Sequence, residues 1–290
     1  MSTIGRVDAH VQVFHPDVAE NRFRYFSQDA AFHEMYQAPD ADIIVTEQLI
    51  NAMDIAGIAR SITCGFGWST NALCREGNDA IIEAVRLYPS RVTGFGTVAP
   101  RDSLSEAIAE IDRLVAAGVR GLGEMRPDTQ GLLEMQPDDI ETFADHVRGH
   151  GIGLLMHASE PVGRMYPGKG TATPERLYRL LERLRGIPVI LAHAGGGLPF
   201  YANLRASEDV FADVYVDTSA MPYLYDPATV RALISSIGID RVLFATDYPL
   251  MRQERVIQYL DKAGLTSEEM ECVLQHNAEK FLRRVGAIPA

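Results

Sequence analysis

The chain has 290 residues, of which 47% are hydrophobic and 23% are charged, a composition typical of a globular protein with a large core. Its 27 basic and 39 acidic residues give a formal net charge of −12, which disfavours nucleic acids and anionic lipid surfaces as partners. The sequence contains neither a signal-peptide pattern nor an apolar run as long as a membrane span, so we expect a cytoplasmic protein.

Strand-like and helix-like segments alternate along the whole chain. Short runs rich in Val, Ile and Leu are each followed by a longer segment with helical spacing of apolar residues, which is typical of a parallel sheet with crossover helices. The predicted strands are residues 5–11, 61–64, 92–97, 119–123, 153–156, 189–192, 214–217 and 242–245. Because the segments show no internal repeat and no break in composition, they favour one closed barrel over an open sheet. We therefore predict a single α/β domain over residues 1–290, a distorted (β/α)8 barrel of the TIM type.

The predicted helices between the strands have recognisable ends. Segments 46–56, 103–117 and 138–150 are each followed by a glycine, which closes a helix in the left-handed conformation. Residues 14–45 depart from this rhythm and are rich in aromatic side chains. Long connections of this kind are usually functional or disordered, and the aromatic residues favour an ordered insertion over the mouth of the barrel.

Residues that can bind metal follow several strands at the same end of the predicted barrel. They are Asp8 and His10 on strand one, Glu124 after strand four, His157 after strand five, His193 after strand six and Asp247 after strand eight. Taken singly, a histidine there is more often structural, and an aspartate commonly caps a turn. The carboxyl ends of barrel strands converge, however, and imidazoles with carboxylates suit Zn²⁺ or a similar divalent ion.

Five motifs resemble those of the amidohydrolase superfamily in its amidohydrolase-2 branch, which contains decarboxylases and lactonases. They are VDAHVQVF at the first strand, LMHASE at the fifth, LAHAGG at the sixth, TDYP at the eighth and the closing NAEKFL. The resemblance implies a barrel with one or two divalent metal ions at the carboxyl ends of its strands. It implies that His10 and His157 are metal ligands and that Asp247 binds metal or accepts a proton from water. It also implies that His193 polarises a substrate carbonyl or binds a second metal ion.

The chain departs from the family pattern at one position. Where the family usually has His-x-His, this chain has His10-Val11-Gln12, and alternation along a strand places both side chains on the same face. A glutamine oxygen is a poorer zinc ligand than imidazole. Three outcomes stay open: a weak metal site, a site that recruits Glu124, and metal-independent catalysis.

The leading prediction is a metal-assisted hydrolase of a small carboxylic ester, lactone or amide. A bound ion lowers the pKa of water toward about 7, with Asp247 as the general base and His193 as the group that polarises the carbonyl. A metal-dependent, non-oxidative decarboxylase of a small aromatic or unsaturated acid is the second prediction. A barrel that only binds a ligand is the third. All three predictions imply a small-molecule partner, and a homo-oligomer is possible under each of them.

Arginine and aromatic residues near the predicted ligands are candidates for binding the substrate, because arginine pairs with carboxylates and aromatic side chains pack against rings. They are Trp68, Arg126, Arg164, Tyr166, Tyr223, Tyr248 and Arg252.

Overall fold

The computed structural model describes residues 5–205 and 207–289. Eight parallel strands pair in the order in which they occur along the chain. They are β1 (Val7–Gln12), β2 (Arg60–Cys64), β3 (Val92–Gly96), β4 (Gly121–Met125), β5 (Gly153–Met156), β6 (Val189–Leu191), β7 (Val214–Asp217) and β8 (Val242–Leu243). Together with the helices between them, these strands confirm the predicted (β/α)8 barrel.

Helices surround the barrel. They are α1 (Pro16–Glu20), α2 (Arg22–Tyr25), α3 (Ala30–Tyr36), α4 (Thr46–Ala56), α5 (Asn71–Leu87), α6 (Leu104–Ala116), α7 (Pro137–His150), α8 (Pro174–Arg183), α9 (Glu208–Phe211), α10 (Met221–Leu224), α11 (Ala228–Ile237), α12 (Gln253–Leu260), α13 (Ser267–Glu271) and α14 (Asn277–Arg284). As predicted, α4 and α7 end at glycines in the left-handed conformation, Gly57 with φ 66° and Gly151 with φ 63°. Within residues 5–205 and 207–289, no helix is long and apolar enough to cross a bilayer.

The predicted strands agree with the observed ones to within two residues at each end. β4 begins and ends two residues later than predicted, so that it includes Glu124. Gly121 and Gly123 weaken the strand signal there, because glycine packs poorly in a sheet. β8 ends at Leu243, two residues earlier than predicted, because the chain beyond it pairs with β1 outside a regular ladder.

Irregular hydrogen bonds between β1 and the chain after β8 close the barrel. The Asp247 N–H donates to the His10 carbonyl at 2.8 Å. The Asp8 carboxylate accepts from the Thr246 backbone N–H at 3.0 Å and from its hydroxyl at 2.6 Å. Asp8, which the sequence suggested as a residue that can bind metal, therefore connects β1 to the chain after β8.

The barrel interior is apolar toward the amino-terminal ends of the strands. Side chains from six of the strands form one cluster with Ala278, Phe281 and Leu282 of α14 and with Val285 directly after it, so this helix closes that end. The ring of Phe95 crosses the interior against Gly121, where a Cβ would lie 2.3 Å from the ring. Glycine at this position is therefore required by packing.

The insertion over residues 14–45 contains α1, α2 and α3. Its aromatic side chains pack with Phe66 and Trp68, which follow β2, and the ring centroids of Phe32 and Trp68 lie 4.7 Å apart. The Tyr36 hydroxyl donates to the Gln12 side-chain oxygen at 3.2 Å. The insertion therefore packs against the carboxyl ends of β1 and β2.

We expect Gly121→Ala to lower the free energy of unfolding by about 1–3 kcal/mol, because the new methyl group overlaps the Phe95 ring. The matched control is Gly149→Ala on α7, where a Cβ meets no atom within 4 Å and where alanine stabilises a helix by about 0.5–1 kcal/mol. Urea unfolding measures both changes. Equal stability of the two variants would contradict the packing account.

Candidate metal centre

Polar side chains form a layer at the carboxyl ends of the strands. Its members are His10 and Gln12 of β1, Glu124 of β4, His157 after β5, His193 after β6, Asp217 at the end of β7, and Asp247 after β8. Both His193 and Asp247 have a φ of 57°, which is uncommon for residues with a Cβ and costs about 1–3 kcal/mol. Backbone strain of this kind persists where the surrounding structure fixes the direction of a side chain.

Glu124 lies at the centre of this layer. Its Oε1 lies 3.2 Å from Nδ1 of His157 and 3.4 Å from Nε2 of His193. Its Oε2 accepts a 2.9 Å hydrogen bond from the Gln12 amide and lies 3.7 Å from Nε2 of His10. Burial alone would raise the pKa of Glu124, but the charge of His10 and the polar contacts with all three rings hold it well below its usual range. The carboxylate is therefore charged.

Asp217 orients two of the three histidines, and the sequence interpretation did not single it out. Its Oδ2 lies 3.1 Å from Nδ1 of His10, and its Oδ1 accepts from the backbone N–H of His193 at 2.9 Å. Oδ1 also accepts from the Ser219 hydroxyl, whose oxygen lies 3.0 Å from Nδ1 of His193. Carboxylates of this kind fix the tautomer and direction of metal-binding histidines. The available signal was that Asp217 ends its strand on the same side as the other site residues.

Each ring uses one nitrogen for a structural hydrogen bond and directs the other toward Glu124. Nδ1 of His10 donates to Asp217, and its buried Nε2 has no hydrogen-bond partner among the described residues. Nε2 of His157 donates to the Lys169 carbonyl at 2.9 Å, which leaves Nδ1 facing Glu124. His193 directs its Nε2 in the same way. Once the protons on these nitrogens are displaced, three imidazole nitrogens and a carboxylate that face one point form a ligand set for a cation.

The electrostatics of the layer favour positive charge. Burial lowers the pKa of His10, yet the charges of Asp247 and Glu124 raise it well above its ordinary value. For His193, burial is likewise outweighed by Glu124, and the pKa rises to about 9. Burial raises the pKa of Asp247 to about 6. A divalent ion would replace the ring protons as the source of this charge, so the residues present fit a metal.

Gln12, one of the predicted metal ligands, has a different position in the network. Its amide N–H group donates to Glu124, and its oxygen accepts from Tyr36. The opposite orientation would turn an oxygen toward the carboxylate and lose the bond to Glu124. Gln12 thus holds Glu124 in place, and its oxygen is directed away from the ligand cluster.

The other predicted ligands fall into two groups that share Glu124. One group contains His10, Glu124 and Asp247, the other Glu124, His157 and His193, and in each group the ligand atoms lie within 4.8 Å of one another. Glu124 turns one oxygen to each group. The arrangement can therefore hold one ion or two.

A cavity of about 1050 Å³ opens above the layer. Four of the seven predicted substrate-binding residues line it, namely Arg126, Arg164, Tyr166 and Tyr223. The other three do not. Trp68 is buried in the aromatic cluster of the insertion, Tyr248 packs against the main core, and Arg252 precedes α12. The sequence showed that these side chains follow strands but not which neighbours cover them.

Further residues of the cavity wall were not predicted. Tyr36 comes from the insertion, and Glu160 accepts hydrogen bonds from the hydroxyls of Tyr166 at 2.8 Å and Tyr225 at 3.1 Å. The aromatic content of the insertion was a signal for the first. Glu160 ends the LMHASE motif at the fifth strand, which was a signal for it, whereas no pattern in the sequence distinguishes Tyr225 from surface residues.

The amidohydrolase-2 family model matches residues 7–284. The chain belongs to this family. A curated relative, the gamma-resorcylate decarboxylase of Polaromonas sp. strain JS666, is 23% identical over 278 residues, which cover 81% of this chain and 81% of the relative.

Two solved structures share the barrel of this amidohydrolase. The 5-carboxyvanillate decarboxylase of Sphingomonas paucimobilis is 19% identical and aligns over 97% of this chain and 99% of its own, with a TM-score of 0.76. The 5-carboxyvanillate decarboxylase of Novosphingobium aromaticivorans, in complex with manganese and 4-hydroxy-3-methoxy-5-nitrobenzoic acid, is 20% identical over 96% of both chains, with a TM-score of 0.76. At these identities the likeness shows a common fold.

These relatives overturn the leading prediction of activity. The sequence predicted a hydrolase of an ester, lactone or amide, and this prediction is wrong, because the relatives are decarboxylases of aromatic acids. The comparisons favour the second prediction, a decarboxylase. The motifs did not separate the two reactions, because both use a cation and a nearby carboxyl group. The comparisons support the predicted divalent metal ion. They do not support zinc, because the N. aromaticivorans structure contains manganese.

We expect Asp217→Asn to weaken Mn²⁺ binding by about 10- to 100-fold, because the amide no longer fixes His10 and His193 as a carboxylate does. Equilibrium dialysis with elemental analysis measures the affinity. The control is Asp213→Asn at the opposite end of β7, where the carboxylate pairs with Arg284. Binding by Asp217→Asn as tight as that of the control would refute the orienting role.

Proposed function

We propose that this amidohydrolase catalyses the non-oxidative, divalent-metal-dependent decarboxylation of a small aromatic acid. The observation that carries the proposal is the convergence of three histidine nitrogens on the Glu124 carboxylate at the base of the cavity. The decarboxylases among its relatives supply the reaction class.

The ion would be held at Glu124 by one of the two groups that share this carboxylate, either with His157 and His193 or with His10 and Asp247. The set combines imidazole nitrogens with carboxylate oxygens, and the latter suit Mn²⁺, which we propose as the working ion in place of zinc. When bound, a divalent ion supplies positive charge that holds the carboxylate of the substrate. The layer is largely buried at the base of the cavity, so a substrate that fills the cavity would displace water from the reacting groups.

Asp247 is the proposed proton donor. Its carboxyl group lines the cavity with 13% of the side chain exposed, and its Oδ1 lies 3.5 Å from Nε2 of His10. The carboxyl proton is transferred to the ring carbon that bears the carboxylate of the substrate. The bond between this carbon and the carboxylate then breaks, its electron pair returns to the ring, and CO2 leaves. Asp247 regains a proton from water.

Arg126 is the proposed recognition residue for an acidic group of the substrate. It lines the cavity, and its side chain is 4% exposed. Its Nη2 donates to the Gly168 carbonyl at 2.9 Å, its Nη1 contacts the Met35 sulfur, and its Nε has no partner among the described residues. The described residues form no salt bridge with this guanidinium, although the Asp128 carboxylate lies close enough for the charge of Arg126 to lower its pKa. A buried N–H group without a partner is costly, and an anionic ligand group that accepts from Nε removes that cost.

We expect Asp247→Asn to reduce CO2 release from hydroxybenzoic acids by at least about 100-fold, since asparagine carries no transferable proton at this position. Gas-phase detection of CO2 with parallel chromatography of the phenol product measures the rate. The control is Asp40→Asn, an exposed carboxyl group at the rim of the same cavity. Unreduced CO2 release by Asp247→Asn would overturn its role. Absence of CO2 release by the manganese-loaded wild type across this substrate class would overturn the proposed reaction.

We expect Arg126→Met to raise KM by about 10- to 100-fold, while kcat changes less. A change of this size is what the loss of a hydrogen bond to a charged group costs, about 1.5–3 kcal/mol. Steady-state kinetics separates the two constants. Arg164→Met is the matched control, because Arg164 lines the cavity and its hydrogen bond with Lys169 uses only its backbone carbonyl. Equal effects of the two substitutions on KM would exclude a specific role of Arg126.

A further inference from the structure

A second group of metal-ligating side chains lies outside the barrel, between α6 and α7. His146 and His150 are four residues apart on α7, so they project from the same face of the helix. Their Nε2 atoms lie 2.9 and 2.8 Å from a single atom, Oδ1 of Asp112 on α6. The ligand atoms of the three side chains all lie within 4.8 Å of one another.

We propose that Asp112, His146 and His150 form a surface metal site for a transition-metal dication such as Zn²⁺, separate from the barrel centre. Two imidazoles and one carboxylate are a common zinc ligand set, and two histidines at i and i+4 are how a single helix supplies two of them. The ring centroids are 4.8 Å apart and the ring planes cross at 80°, so the nitrogens converge on the carboxylate while the rings stay clear of each other.

The site is open to solvent. The exposed fractions of the side chains are 26% for His146, 29% for His150 and 55% for Asp112, which leaves room for a water molecule to complete the coordination. Among the described residues, the hydrogen bonds of the Asp112 carboxylate go to these two rings alone, so no arginine or lysine competes with the ion. Each neutral ring can move its proton from Nε2 to Nδ1 and so bind without releasing it.

Metal at this site would join α6 to α7 and add to stability, because an ion that binds the folded chain shifts the unfolding equilibrium. A surface site would also change how the measured number of bound ions is interpreted. A chain that holds two ions could carry one in the barrel and one on the surface. The two sites differ in chemistry, since the surface site has a single carboxylate and the barrel layer has several, which favours zinc outside and manganese inside.

The test is a Zn²⁺ titration of the manganese-loaded protein, with bound zinc counted after dialysis and Tm measured at each concentration. We expect His146→Gln and His150→Gln each to bind one Zn²⁺ fewer than the wild type at the concentration that saturates the wild type. The affinity at this site should fall at least about tenfold, since loss of a ligand costs no less than loss of a supporting residue. The zinc-dependent rise in Tm should shrink in both variants.

The matched control is His33→Gln, which removes an exposed histidine that stacks on Phe26. It should bind zinc as the wild type does. Any exchange of zinc into the barrel occurs in all four proteins and cancels in the comparison. Equal zinc counts and affinities in the wild type and both α7 variants would overturn the proposal, and so would an equal loss in His33→Gln.

Discussion

A charged carboxylate in the interior of a barrel has to be met by positive charge, and Glu124 imposes this requirement on the surrounding structure. Three imidazole rings surround it, and each has its second nitrogen fixed by a hydrogen bond on the side away from Glu124. Asp217 fixes His10 directly and His193 through its backbone and Ser219. The layer is therefore organised before any ligand arrives, which lowers the cost of binding an ion.

The main site residues could be predicted because a parallel barrel brings the carboxyl ends of its strands together, whatever their separation in sequence. Asp217 also ends its strand on this side, but its orienting role could not be predicted, because that role depends on the contact with His10 that the closed barrel makes. The orientation of Gln12 depends on Tyr36, a residue of the insertion. Trp68 is covered by aromatic side chains of the same insertion, whose packing the sequence does not specify.

The fold and the ligand set leave the reaction open, because hydrolysis and decarboxylation both need a cation beside a carboxyl group. What distinguishes them is the substrate that the cavity accepts and the atom that Asp247 can reach. The unpaired Nε of Arg126 bears on the first question, since an acidic group on the ligand could accept a hydrogen bond from it. Glu160, held by hydrogen bonds from Tyr166 and Tyr225, adds a carboxyl group to the cavity wall.

The account depends on a metal ion bound at Glu124. Anomalous diffraction at the manganese edge from crystals of the manganese-loaded protein tests this most directly. We expect a peak at the Glu124 carboxylate, beside either His157 and His193 or His10 and Asp247, and a peak beside each pair if two ions share Glu124. A manganese-loaded crystal without any peak at Glu124 would contradict the account.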